Sequence, residues 1–128
     1  MLEGKLIHVV DDDSEFLKGI ARLLKAHGLE VRTFASAEEF QMDAEPAEAD
    51  CLVLDIHLGG ISGIELLCRL SSAGIRVPVV LVTADDSEPT RGAAAAAGCS
   101  AYLEKPVSGK LLMDAINGAV ASAGIQPS

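Results

Sequence analysis

Four apolar runs in this sequence end on residues that can do chemistry. Cys51-Leu52-Val53-Leu54 runs into Asp55, and Lys5-Leu6-Ile7-His8-Val9-Val10 runs into Asp11-Asp12-Asp13. Val79-Val80-Leu81-Val82 ends in Thr83, and Ser100-Ala101-Tyr102-Leu103 ends in Glu104-Lys105-Pro106. Short apolar runs rich in Val and Leu read as strands buried on both faces of a parallel sheet. The carboxyl edge of such a sheet flanks a crevice, so Asp11, Asp12, Asp55, Thr83 and Lys105 are expected to meet there. Three carboxylates brought together need a cation between them. An all-oxygen donor set of this kind prefers Mg²⁺ or Mn²⁺. Lys105 and Thr83 would complete a cradle for a tetrahedral anion, with the central carboxylate as nucleophile toward a phosphoryl group.

The elements that must carry these residues alternate along the chain. A strand at about 5–10 precedes a helix with Ser14 as its N-cap and Phe16, Ile20, Leu23, Leu24 and His27 on one stripe. Residues 29–34 alternate in polarity, as in a strand nearer an edge. Ser36-Ala37-Glu38-Glu39 and Ser62-Gly63-Ile64-Glu65 are capping boxes, and Ile64, Leu67 and Cys68 continue the buried face of the second of these helices. Asp85-Asp86-Ser87-Glu88-Pro89 opens an alanine-rich helix over Ala93–Ala97, whose small side chains anchor it weakly. A last helix aligns Leu111, Leu112, Ala115, Ala119 and Val120. Five β-α repeats imply one α/β domain over 1–123, a parallel sheet with helices on both faces, and a tail or linker stub at 124–128.

Bulk properties narrow the function. The chain has 128 residues, 49% hydrophobic and 23% charged, which suits one globular domain. A formal charge of −9 disfavours direct binding to nucleic acid or an anionic membrane. No run is long enough to span a membrane, and the first residues lack signal-peptide organisation. Cys51, Cys68 and Cys99 are odd in number and show no CxxC spacing, so all three are expected as buried, reduced thiols of a cytoplasmic protein. His8 is expected to be a hydrogen-bonded core residue.

The chain resembles the receiver domain of two-component response regulators along nearly its whole length. The matching pieces are Val9-Val10-Asp11-Asp12-Asp13, Leu52-Val53-Leu54-Asp55, Ser62-Gly63-Ile64-Glu65-Leu66, Val82-Thr83-Ala84 and Tyr102-Leu103-Glu104-Lys105-Pro106. Each piece is weak alone; five in order are specific. The resemblance implies a flavodoxin-like (βα)5 three-layer sandwich with a five-stranded parallel sheet of order 2-1-3-4-5. It implies that Asp55 accepts a phosphoryl group from the phosphohistidine of a sensor histidine kinase or phosphotransfer protein. Asp12 would then bind Mg²⁺ (or Mn²⁺) directly, Asp11 through water, and His57 through its backbone carbonyl. Thr83 and Lys105 would contact the phosphoryl oxygens, and Tyr102 would be the aromatic switch. The partner of the switched surface (fourth helix, fifth strand, fifth helix) would be a second copy or a downstream protein. Such a domain catalyses only its own phosphorylation and dephosphorylation. The Lys105-Pro106 peptide is implied to be cis. One position departs from the pattern: Gly59 stands where the family commonly has Pro.

Two other readings share part of this signature. A haloacid-dehalogenase-type phosphatase needs a second Asp where this chain has His57, and usually a cap insertion that 128 residues leave no room for. A flavodoxin-like flavin module needs a phosphate-cradling loop after the first strand, where Asp11-Asp12-Asp13 would repel phosphate. A small phosphodonor separates the three: stoichiometric acyl phosphate, multiple turnover, or a yellow protein.

Overall fold

The computed structural model describes residues 2–123, so the expected tail at 124–128 lies outside the described residues. Five strands, β1 (Leu6–Val10), β2 (Glu30–Phe34), β3 (Cys51–Asp55), β4 (Val79–Thr83) and β5 (Ala101–Glu104), alternate with five helices. The helices are α1 (Ser14–Ala26), α2 (Ala37–Asp43), α3 (Gly63–Ser72), α4 (Glu88–Ala97) and α5 (Gly109–Ala123), and a 3-10 turn covers Pro46–Glu48. The sheet order is β2-β1-β3-β4-β5 with every pair parallel, as the resemblance implied.

Alternation along the strands divides the core into two layers. Val10, Leu52, Leu54, Val79 and Leu81 pack with Phe40, Leu66, Leu67, Leu70 and Ala94 beneath α2, α3 and α4. Ile7, Val9, Cys51, Val53, Val80 and Val82 pack with Ile20, Leu24, Leu112, Ile116 and Ala119 beneath α1 and α5. β3 and β4 are buried at every position, which is why they appear in sequence as unbroken apolar runs. β2 buries only Phe34, as an edge strand does.

Several local expectations change. The N-cap of α1 is Asp13, not Ser14: its side chain accepts from the Glu15 and Phe16 amides at 3.0 and 3.2 Å. Within α1 only Ile20 and Leu24 are buried, and His27 is an exposed C-cap whose Nδ1 lies 3.0 Å from the Leu23 carbonyl. α3 buries Gly63, Leu66, Leu67 and Leu70, so the stripe passes Cys68 by, which is exposed, while Cys99 is half-buried. Only Cys51 is the buried thiol expected, pushed up to about 12 by burial. In α5 the buried face is Leu112, Ile116 and Ala119, leaving Leu111 56% exposed. His8 is buried edge-on to Phe34 and Phe40, with centroids at 5.4 and 5.8 Å, yet its Nδ1 has no hydrogen-bond partner. Burial, with Arg32 adding to it, holds its pKa below the usual 6.5 and keeps the ring neutral.

The caps behave mostly as read. Ser36 and Ser62 accept from the amides of Glu39 and Glu65 at 3.0 and 3.1 Å. Glu39 reaches back one residue past its N-cap, to the Ala35 amide, and Glu65 turns instead to Arg69 at 2.8 Å, so neither glutamate closes its box on the N-cap amide. α4 starts at an Ser87 N-cap and buries only Ala94. No helix among the described residues is long and apolar enough to cross a membrane.

Candidate functional site

The parallel register assembles the site. Val10 pairs with Leu54, so Asp11 and Asp55 leave adjacent strands side by side. Thr83 pairs with Glu104, and the amide of Lys105 then donates to the Thr83 carbonyl at 2.7 Å, which brings the lysine to the same edge. The Lys105-Pro106 peptide is cis, as implied.

The three aspartates of the first strand end do different work. Asp11 is 1% exposed and turned inward; its Oδ1 accepts from the Asp13 amide at 2.9 Å. Asp12 is exposed, and Asp13 caps α1. Carboxylate oxygens of Asp11, Asp12 and Asp55 lie within 4.8 Å of one another. Lys105 Nζ reaches Asp11 Oδ2 at 2.7 Å but stands 3.9 Å from Asp55 Oδ2, and it also lies 4.2 Å from the Phe16 ring centroid. Asp55 is thus left under-compensated. Burial and then the Asp11 charge raise its pKa to about 6, against the opposing pull of Lys105 and the His57 amide at 3.3 Å. A buried carboxylate held up this way, beside two more, is a donor set that suits a hard divalent cation. Asp11, Asp12 and Asp55 would hold it through oxygen alone.

Thr83 is fully buried and sits at the same edge, but no hydrogen bond joins it to the carboxylates. Its hydroxyl accepts from the Asp85 amide at 3.0 Å and lies 3.2 Å from the Asp85 carbonyl. Tyr102 is half-buried, and its hydroxyl donates to Asp86 Oδ1 at 2.8 Å. Asp86 is gripped in turn by Arg91, through Nε at 2.9 Å and Nη2 at 2.8 Å. The ring is therefore tied to the start of α4. The side chain of His57 is exposed beside the site.

Three residues at or near the site carry roles that reading the strand ends missed. Asp86 and Arg91 form the Tyr102 tie; Asp86 precedes the N-cap, so helical spacing gives no signal for the pair. Gly63 lies where a Cβ would overlap the Asp55 carbonyl, so α3 approaches the end of β3 only because that residue has none. The capping pattern at Ser62 marked the helix start but not this contact.

A parallel five-stranded sheet of order 2-1-3-4-5 with an acidic crevice and one lysine at its carboxyl edge defines a flavodoxin-like α/β domain. Within that class the family is specific: the model of the response regulator receiver domain matches residues 7–117, and the chain belongs to that family. It is therefore a two-component signalling domain. The transcriptional regulatory protein FixJ of Azorhizobium caulinodans is 32% identical over 126 residues, covering 98% of this chain and 60% of that protein. The receiver domain protein (CheY-like) of Methanospirillum hungatei superposes with a TM-score of 0.86 at 26% identity, covering 95% of this chain and 98% of that one. The response regulator StyR does so with a TM-score of 0.86 at 36% identity, over 94% of this chain and 61% of that one. The chain spans about half the length of the curated relatives it matches.

Proposed function

We propose that Asp55 accepts a phosphoryl group from the phosphohistidine of a sensor histidine kinase or phosphotransfer protein, in the cytoplasm. The observation that carries this is the pairing of two buried carboxylates with one ammonium that favours Asp11 and leaves Asp55 the less compensated. An Asp55 oxygen attacks phosphorus, the phosphorus–nitrogen bond breaks with its electron pair going to the imidazole, and an aspartyl phosphate forms. Mg²⁺ (or Mn²⁺), held by Asp11, Asp12, Asp55 and the backbone carbonyl of His57, supplies neutralising charge for the phosphoryl oxygens when bound. Lys105 donates to one of those oxygens and Thr83 to another. Turnover on free phosphoesters has no support in this site, since the general-acid position of a phosphatase is occupied by His57 with its ring in solvent.

The metal part of this reading has its own test. Mg²⁺ titrated into Asp12→Ala is expected to bind at least about tenfold more weakly than to the parent domain, since the exposed member of the triad costs least to bring onto the ion. Unchanged affinity would contradict the assignment.

The signal leaves through Thr83 and Tyr102. To reach a phosphoryl oxygen the Thr83 hydroxyl gives up Asp85, and the space behind it is filled by the Tyr102 ring, which gives up Asp86. Because Ala94 is the one fully buried residue of α4, its shift gives up little apolar burial. The altered face is α4, β5 and α5, which would take a second copy or a downstream protein; the charge of −9 disfavours DNA as its direct partner. With the phosphoryl mimic beryllofluoride and Mg²⁺, amide exchange over 86–98 and 100–104 is expected to change in the parent and to change much less in Thr83→Ala. Identical exchange with and without the mimic in the parent domain would remove this mechanism.

A further inference from the structure

The segment leaving β3 carries the His57 peptide past Asp55 and then becomes sparsely hydrogen-bonded. Ile56 is fixed at both ends, its amide on the Val82 carbonyl and its carbonyl under the Gly63 amide, both at 2.9 Å. Gly59 and Gly60 follow shortly after, and glycine adds more backbone freedom than any other residue. Among the described residues, one hydrogen bond joins 58–62 to an element other than the α3 that follows. The Ile61 amide donates to Glu38 Oε2, 3.3 Å away on the first turn of α2. A second observation concerns the same carboxylate. Gly60 has φ +88°, and a Cβ added there would meet Glu38 Oε2 at 2.8 Å and its Cδ at 3.4 Å. Glu38 therefore lies against the glycine turn and grips the amide beyond it, while Glu39 beside it is turned the other way, onto Ala35.

We propose that Glu38 is a positioning residue for the phosphoacceptor site, holding the Gly59-Gly60 turn so that the His57 peptide stays against Asp55. The proposal rests on the reading of Asp55, Asp12 and the His57 carbonyl as the metal site. Glu38 touches neither metal nor phosphoryl group; it acts through the loop. Without it, the loop spends much of its time in conformations that carry the His57 carbonyl away, and metal affinity falls by the fraction of time so lost.

The test measures Mg²⁺ affinity by calorimetry and amide exchange over 57–61 in the parent, Glu38→Ala, Glu38→Gln and Glu38→Ala/Gly59→Pro. Removing one hydrogen bond to a charged acceptor is expected to weaken Mg²⁺ binding about tenfold in Glu38→Ala and to speed exchange at Ile61. Glu38→Gln keeps an acceptor oxygen for Ile61 but loses the charge, so it is expected to stay close to the parent. Gly59 lies outside the positive-φ region and has open space at its Cβ, and its amide donates no hydrogen bond among the described residues. Proline there stiffens the turn by another route and is expected to restore most of the lost affinity. Equal affinity in Glu38→Ala and the parent would overturn the proposal. So would a Gln variant as weak as Ala with no recovery from proline, which would mark a long-range charge effect. A parent domain that binds no Mg²⁺ would instead overturn the metal reading beneath it.

Discussion

Asp55→Asn is expected to melt higher than the parent domain at neutral pH when divalent ions are absent. Asp55 is 5% exposed, and its carboxylate stands beside Asp11 with Lys105 committed mainly to Asp11. Its pKa is raised from 3.8 to about 6, burial first and Asp11 second. A folded-state pKa above the unfolded value means that the native state holds this proton more tightly than the unfolded chain does. Stability from this group is then complete below about pH 4 and is lost as pH rises through about 6. The loss is at most about 3 kcal/mol for a shift of this size. Asn has the same shape, does not titrate, and still offers an oxygen to the His57 amide. The melting curves of the two proteins should therefore coincide near pH 4 and separate as pH rises, with Asn higher by roughly 5 °C at pH 8. Mg²⁺ should reverse the order at pH 8 by stabilising the parent in proportion to its occupancy while leaving Asn nearly unmoved. Coincident curves at pH 8 without metal would mean that Asp55 is not destabilised in the fold.

His8 contributes a slope of the opposite sign. Its pKa is held below 6.5 in the fold, so the unfolded chain takes up the proton first and stability falls as pH drops below 6.5. The Asp55→Asn comparison isolates the carboxylate because His8 is common to both proteins.

The strand ends were legible because each apolar run stops at a cluster of polar residues, most sharply in β3 and β4, which are buried at every position and carry no polar residue before Asp55 and Thr83. Asp55, Thr83, Asp11 and Lys105 were found that way, the helix starts at Ser36 and Ser62 were found from capping chemistry, and the start of α4 was placed only within Asp85–Pro89. What could not be read was how the charged groups choose among one another. Lys105 prefers Asp11, 94 positions away, over Asp55, and its ammonium also lies over the Phe16 ring. Glu38 to Ile61 spans 23 positions and Tyr102 to Asp86 spans 16, with no periodicity linking either pair. His8 was expected to find a partner and has none at Nδ1, because its neighbours from β2 and α2 are phenyl rings. Cys68 and Leu111 were assigned to buried faces from apolarity alone; each lies one position off a stripe that the stronger neighbours Leu67 and Leu112 define.

The proposed acceptor carries the largest expected effect. Asp55 ends the central strand, lies within metal-sharing distance of Asp11 and Asp12, and is the carboxylate that Lys105 approaches without neutralising. Asp11 is tied up by Lys105 and by the Asp13 amide, and Asp12 stands in solvent, so neither competes as nucleophile. The direct measurement is intact mass spectrometry of the domain after incubation with acetyl phosphate and Mg²⁺, followed by reduction of the acyl phosphate and peptide mapping. The account predicts one phosphoryl group per chain, mapped to Asp55, absent without Mg²⁺ and absent from Asp55→Asn. Stoichiometric phosphorylation that persists in Asp55→Asn would contradict it.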